Sequence, residues 1–378
     1  MGIPICVQEL CHRHCRLILL SVLLPMMVGC SGGIGPGAMR SNRIHYNMAV
    51  QQTDAQELLL NLVRLRYRDT PVFLEVASIS ANLKFQADAD AGGLIPSGGT
   101  NVVTLGAGIA YEESPTMTYT PLRGKQFVTQ MLEPVKLEIL LLLSYSGWSV
   151  ERVFRLLVQE INGVRNAPTA SGPTPVIQPE FHRFRRVSEL LRALQLHDLV
   201  DLSTAPSDAG GDDKKGPGRR IFLLLKPEAL ERAETQELVE LLSLTPGRRY
   251  YEIVSRVGQI NPDQISVVSR SVTAAMYYAS QAVEVHQEDE ENGRVTVTLD
   301  GEGNRFDWKE VTGDFFYIQS GAEPTDAYVS INYRGHWFFI SDADLESKST
   351  FVLLTTVLAL QAGDVPSTGP VLTLPVSR

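Results

Sequence analysis

From Ser78 to Ala91 apolar and polar residues alternate along the chain. Ile79, Ala81, Leu83, Phe85, Ala87, Ala89 and Ala91 fall on one side of that pattern, and Ser78, Ser80, Asn82, Lys84, Gln86, Asp88 and Asp90 on the other. After a Gly-rich stretch at Gly92–Thr100 the alternation returns. Val103, Leu105, Ala107, Ile109 and Tyr111 interleave with Thr104, Gly106, Gly108, Ala110 and Glu112. A period of two is the mark of a strand with one apolar face. The pattern predicts one long amphipathic β-hairpin over 78–119, with strands well above the usual length of about 5–6 residues. Such a hairpin can cover the soluble domain's own core or its helices, or act as a swapped arm. It can also cross a membrane as one subunit's share of an oligomeric barrel, for which about 9–11 tilted residues suffice. Ile79, Leu83, Phe85, Leu105, Ile109 and Tyr111 are the candidate membrane or interface positions.

Elsewhere the apolar period is helical. Ala55, Leu58, Leu59 and Leu62 predict a helix over 54–68, with Thr53 and Gln56 as a capping box and Arg64, Arg66 and Arg68 at its end. The stretch 124–163 reads as helices, with Ser149 as a cap and Asn162-Gly163 as the stop. The second half predicts helices over 181–196, 228–242, 272–285 and 345–360, the last capped by Asp342 or Asp344. Strands are expected at 199–203, 220–225, 250–257, 265–269, 295–299, 314–319, 328–333 and 336–340. The class is α+β: a helical N-terminal half carrying the hairpin, then a mixed half with antiparallel strands. Ala167–Pro175 (APTASGPTP) is the expected linker between regions 44–166 and 177–378.

The N-terminus has a different pattern. Arg13 and Arg16 precede an apolar run of 12 residues, Leu17 to Val28, which ends at Gly29-Cys30-Ser31-Gly32. As a helix the run rises only about 18 Å, short of a bilayer core of about 30 Å. Positive charge, a short apolar core and small residues before a cysteine resemble a lipoprotein signal peptide spanning 1–29, with Cys30 as the lipidated residue. Residues 30–43 open with SGGIGPG after the cysteine and are expected to form a flexible tether. By resemblance to lipoproteins of double-membraned bacteria, Ser31 in place of aspartate favours the outer membrane. The expected location is that membrane's periplasmic face, held through lipid on Cys30.

This address changes the chemistry. Cys6, Cys11 and Cys15 leave with the leader, so a site built on Cys11, Cys15, His12 and His14 is not expected in the mature chain. The formal charge of −9 becomes −10, which disfavours nucleic acid as a partner. No G-x-S-x-G elbow, P-loop or H-E-x-x-H occurs, and no catalytic residue, metal or cofactor is expected. Weaker patterns remain. His336 with Asp342 and Asp344 could form an oriented base, but the expected reading of His336 is a polar turn residue. Asp300, Glu302, Asn304 and Asp307 have spacings reminiscent of a calcium loop but lack its closing glutamate. Arg183, Arg185, Arg186, Lys214, Lys215, Arg219 and Arg220 loosely imitate a winged helix, diluted by Asp208, Asp212 and Asp213. Phe315, Phe316, Tyr317, Tyr328, Tyr333, Trp337, Phe338 and Phe339 gather aromatic residues near the C-terminus, for a core or for an interface.

The segments RLRYRDTPVFLEVASI (Arg64–Ile79), YEESPTMTYTPL (Tyr111–Leu122), SGWSVERVFRLLVQEINGVRN (Ser146–Asn166) and YRGHWFFISDADLESKSTF (Tyr333–Phe351) resemble a family of uncharacterised Gram-negative lipoproteins. The resemblance implies an envelope location and no activity. The expected role is non-enzymatic, in envelope structure, assembly or binding, with other envelope proteins or further copies as partners. The alternatives are an oligomeric outer-membrane pore using the hairpin and, third, an envelope hydrolase. If Cys30 carries lipid, Cys30→Ala leaves full-length precursor and abolishes metabolic lipid labelling. Normal maturation of that variant refutes the assignment.

Overall fold

Helix α1 (Pro36–Arg66) is about twice as long as its apolar stripe predicts. Pro36 opens it at a position where the missing N–H breaks no helical bond, and no second proline follows before Arg66. Thr53 is therefore interior, and its hydroxyl donates to the Val50 carbonyl at 2.8 Å instead of capping an end. The expected tether at 30–43 is corrected accordingly, because Pro36–Arg43 is helical. The computed structural model describes residues 36–93, 103–121, 124–206, 219–258, 261–362 and 372–375. The leader, Cys30 and the 92–100 turn beyond Gly93 lie outside the described residues. So does the 207–218 loop with Lys214 and Lys215. The chain divides into two units, Met1–Asp54 and Ala55–Arg378.

The second unit is α+β. After α1 come β1 (Leu74–Gly93) and β2 (Val103–Pro121), then α2 (Lys125–Leu132), α3 (Leu137–Tyr145) and α4 (Val150–Leu157). Strands β3 (Val158–Ile161) and β4 (Val164–Arg165) follow α4, then helix α5 (His182–Leu196), β5 (Val200–Pro206), β6 (Arg219–Leu225), α6 (Ala233–Leu241), β7 (Tyr250–Ser255) and β8 (Gln264–Ser269). These strands form one six-stranded sheet in the order β4-β3-β8-β7-β6-β5, antiparallel except for the parallel β7–β8 pair. Strands from both sides of Ala167–Pro175 share this sheet, so that segment is a connection within one unit and not a domain boundary. Its Gly and Pro residues serve a short 3-10 turn at Pro168–Ser171.

The structure also corrects the helix expected to run through Ile161. It stops at Leu157 and continues directly as β3. Asn162 (φ 47°) and Gly163 (φ 80°) then form a tight β3–β4 turn with positive φ at both central positions, for which Asn-Gly is the favoured pair. Ser149 caps α4 as expected, accepting from the Arg152 N–H.

The helix can stop there because its last carbonyls find other donors. Arg270 Nη1 donates to the carbonyls of Arg155 (3.0 Å), Leu156 (3.2 Å) and Val158 (3.0 Å). Its Nε reaches Ser171 Oγ at 2.9 Å, and its Nη2 binds the Asn166 carbonyl. Asn166 Nδ2 adds bonds to the Arg155 and Val158 carbonyls at 2.9 and 2.7 Å. The guanidinium lies 4.0 Å from the Tyr278 ring centroid. Burial lowers its pKa to about 10, so it remains a cation at neutral pH.

Beyond β8 lie α7 (Val272–Ser280), α8 (Gln287–Glu291), α9 (Lys309–Thr312), β9 (Gln319–Gly321), β10 (Ala327–Tyr333), β11 (His336–Ser341), α10 (Leu345–Ala362) and β12 (Leu372–Pro375). Residues 295–299 form only two isolated bridges, from Leu299 to Ile177 and to Arg305, in place of the expected strand. Arg334 (φ 53°) and Gly335 (φ 88°) turn β10 into β11, and the antiparallel sheet runs β10-β11-β9. Asp344 caps α10 by accepting from the Ser347 N–H at 3.0 Å. The core takes Leu59, Leu62 and Val63 from α1, Val153, Leu156 and Leu157 from α4, Phe184 and Val187 from α5, and Phe351 and Leu354 from α10.

Arg270→Met leaves the carbonyls at the α4–β3 junction without their cation. It is expected to destabilise the fold by about 3 kcal/mol or more in denaturant unfolding. A loss under about 1 kcal/mol shows that the junction does not depend on Arg270.

Candidate functional site

The third sheet runs β1-β2-β12. Strand β1 has 20 residues and β2 has 19, in one antiparallel ladder from Leu74↔Pro121 to Gly93↔Val103. The register shifts once, between Val76 and Ser78. Such a bulge bends a strand and increases its twist. Beyond it the pairs are Ile79↔Met117, Leu83↔Glu113, Phe85↔Tyr111, Ala87↔Ile109 and Ala91↔Leu105. The six positions singled out from sequence thus fall in the same alternate set of rungs. The intervening rungs pair Ser80↔Thr116, Asn82↔Ser114, Lys84↔Glu112 and Asp88↔Gly108.

Strand β12 pairs with β2 only across Thr116–Tyr119. Among the described residues, β1 has no partner on its other edge, and β2 has none on its own second edge from Val103 to Pro115.

The root of the ladder is held by polar groups that the periodicity did not reveal. Asn61, 1% exposed on α1, clasps the backbone of Val72 twice: Nδ2 donates to its carbonyl at 2.7 Å and Oδ1 accepts from its N–H at 2.9 Å. Leu74 N–H donates to Glu57 Oε1 at 2.9 Å. The Phe73 ring meets Phe127 of α2 edge-on, with centroids 5.6 Å apart. Gln56, expected in a capping box, reaches the Ser330 carbonyl of β10 at 3.3 Å.

Between α1 and β1, Tyr67 and Asp69 gather α8 and the β10–β11 turn. The Tyr67 hydroxyl donates to Asp289 Oδ2 at 2.6 Å, and Arg294 donates to Asp289 Oδ1 at 2.6 Å. Asp69 Oδ2 accepts from the Tyr333 hydroxyl and from Arg334 Nη2, the latter at 2.9 Å. The Arg334 guanidinium lies 5.1 Å from the Tyr67 ring centroid. Burial pushes the Asp289 carboxyl up, but the Tyr67 and Arg294 bonds outweigh it and hold its pKa below the usual aspartate value. Tyr67 is raised by burial and by the same bond.

The weaker sequence patterns resolve as follows. His336 stacks on His286 with centroids 4.1 Å apart. It is not oriented by its expected partners, since Asp344 caps α10 and Asp342 pairs with Lys348. Asp300 Oδ1 accepts from the backbone N–H of Glu302 and Asn304, which closes the 300–304 loop on itself. Among the described residues no three His, Cys, Asp or Glu side chains converge as metal ligands. Arg186 pairs with Glu237 through two bonds of 2.6 Å, and Arg220 pairs with Glu252. These arginines are therefore held by carboxylates. Phe315, Phe316 and Phe338 are buried, whereas Tyr328 is exposed.

No family profile, no curated protein and no solved structure matches this chain. Among the described residues no helix is long and apolar enough to cross a membrane.

The Asp289 arrangement has a pH signature. A carboxyl whose folded pKa lies below its unfolded value of about 3.9 stabilises the fold above that value, and the stabilisation is lost as pH falls through the folded pKa. Asp289→Asn is expected to lower the melting temperature at pH 7 and to flatten its decline below about pH 4. An acid limb identical to that of the unmodified protein refutes the assignment.

Proposed function

We propose that the protein is a lipid-anchored outer-membrane lipoprotein of the periplasmic face, acting without catalysis in envelope assembly. In this reading β1 and β2 are one amphipathic hairpin through which copies associate. The observation that carries it is the ladder. Strands of 20 and 19 residues run at about 3.3 Å per residue, so the ladder is roughly 65 Å long. For most of that length, among the described residues, two strands stand without a third. A two-stranded ribbon is marginal in water, and open strand edges template pairing with further strands. Addition of the β1 edge of one copy to the β2 edge of the next would satisfy both.

A second reading, an outer-membrane pore subunit, is favoured by the same rungs. Apolar positions pair with apolar ones at Ile79↔Met117, Phe85↔Tyr111 and Ala87↔Ile109, with polar rungs between. On β1 this is the alternation that lipid on one side and water on the other require, over 78–91 and so longer than the about 9–11 residues a spanning strand needs; on β2 it runs over 103–111 and ends at Glu113, opposite Leu83. Closure of such ribbons into a ring removes every edge.

The deciding measurement is the size of the detergent-extracted mature protein, with cysteine probes at Ile79, Leu83 and Ile109. Assembly predicts a ring-sized particle that Ile109→Asp dissociates while the melting temperature stays within about 2 °C. Insertion further predicts probes at those positions that are shielded in membranes and reactive in the dissociated protein. A monomer whose probes at these positions stay reactive in membranes overturns both readings.

A further inference from the structure

The chain contains two Asn-Gly pairs, Asn162-Gly163 and Asn292-Gly293. Asparagine before glycine is open to attack on its own side-chain amide, because glycine has no Cβ to shield its backbone nitrogen. The surroundings do not separate the two pairs: at either glycine a Cβ would have no atom within 4 Å of it. They differ in how the asparagine is held.

Asn162 is locked. Its Nδ2 donates to the Leu242 carbonyl at 2.8 Å, and its Oδ1 accepts from the Ser266 N–H at 2.6 Å. Its own N–H donates to the Ser266 carbonyl at 2.9 Å. Ser266 lies inside β8, so freeing Asn162 means opening the six-stranded sheet. Openings of that kind belong to the stable end of the range.

The other pair has no such ties. Asn292, Gly293 and Arg294 are exposed, and among the described residues the Asn292 side chain makes no hydrogen bond. Asn292 (φ −79°, ψ 2°) ends α8, a helix of 5 residues, and Gly293 (φ 65°) follows as its left-handed stop. The backbone bonds here are local. Asn292 N–H donates to the Glu288 carbonyl and Gly293 N–H to that of Glu290, both at 3.0 Å, and Arg294 N–H donates to the Asp289 carbonyl at 2.9 Å. A helix this short does not persist by itself, and opening its last turn is a small local event. That opening frees the Gly293 nitrogen and lets the Asn292 backbone turn toward its own side chain.

We propose that Asn292 is a self-modification site, converted through a cyclic imide to isoaspartate and aspartate, while Asn162 is spared. In the open form the Gly293 nitrogen gives its proton to solvent base and bonds to Asn292 Cγ. The Cγ–Nδ2 bond breaks, and Nδ2 takes a proton from water and leaves as ammonia. Water then opens the ring, at the side-chain carbonyl to give aspartate or at the main-chain carbonyl to give isoaspartate. One water enters, one ammonia leaves, and nothing is oxidised or reduced. Either product puts a negative charge at the C-terminal end of α8, beside Glu288, Glu290 and Glu291, where it is unfavourable. Isoaspartate also lengthens the main chain by one atom just ahead of Arg294. The Arg294 N–H and guanidinium both donate to Asp289, at 2.9 and 2.6 Å, so the change loosens the clasp on Tyr67. The site is independent of the assembly reading above.

The test is timed incubation of the purified protein in mildly alkaline buffer, followed by digestion in acid and mass mapping of both Asn-Gly peptides. The Asn292 peptide is expected to gain one dalton over days to weeks, with isoaspartate as the larger share. The Asn162 peptide should change at least about tenfold more slowly, because two side-chain hydrogen bonds must open first. In guanidinium chloride both peptides should react within a few-fold of each other, since only the fold separates them. Asn292→Gln, whose ring would need six members, should keep its mass, and its melting temperature checks that it folds. The modified fraction, separated by charge, is expected to melt about 2–4 °C lower. The proposal fails if folded Asn292 reacts no faster than Asn162, if it stays intact while the unfolded chain reacts, or if the same gap persists in guanidinium chloride. Aspartate without isoaspartate refutes the cyclic route, and a modified fraction that melts like the parent refutes the link to Asp289.

Discussion

Between Leu157 and Val158 the chain passes from helix to strand with no loop, and the rest of the unit is arranged around that junction. A helix end leaves carbonyls unpaired, and here they are buried away from water. Arg270 answers them with a fork of donors, and its positive charge suits the negative end of the helix dipole. Among the described residues no carboxylate is paired with it, which avoids the double desolvation of a buried ion pair. The backbone of Arg270 is used as well: its N–H donates to the Leu157 carbonyl at 2.7 Å and its carbonyl accepts from Val135 at 3.0 Å. Since β8 ends just before it and α7 begins just after Ser271, one residue fixes the sheet, two helices and the connection ahead of α3.

Arg155 plays the neighbouring part with different chemistry. Its guanidinium holds Asp314 through bonds of 2.7 and 2.6 Å and lies 4.2 Å from the Phe315 ring centroid. One arginine thus binds dipoles and the other a carboxylate. The difference follows depth: Asp314 is 40% exposed and keeps part of its hydration, whereas among the described residues no carboxylate pairs with the buried Arg270.

What the sequence revealed was mostly local. The Tyr333-Arg334-Gly335 turn and the Ser149 and Asp344 caps involve residues a few positions apart, so their chemistry is visible in a short window. The mixed α+β class was legible for the same reason. The end of α4 was not, because Val158–Ile161 continues an apolar period and its deciding partner, Arg270, lies more than 100 positions away. Ala167–Pro175 misled for a related reason, since Gly and Pro mark a bend in the chain whether or not a domain ends there. At the candidate site the alternating positions were visible, but their footing was hidden. Asn61 sits at helical spacing from Leu58, Leu62 and Leu65, among the buried stripe. A polar residue there was the one available signal that the stripe faces a backbone as well as side chains. Tyr67 and Asp69 read only as the end of a helix. Their partners Asp289 and Tyr333 are more than 220 positions distant.

Strand β12 joins the ladder at Thr116–Tyr119, although it lies about 250 residues further along the chain. During synthesis the base of β2 must therefore wait, its edge exposed, while the chain of the six-stranded sheet and of the helices around it is made. Among the described residues, the other parts of β2 gain no such cover. The order of events makes the base of the ladder the last part of the unit to close and its far end the part left open. Until that closure the edge at Thr116–Tyr119 stands open to any strand that reaches it first, which gives a slow-closing strand the character of a timer.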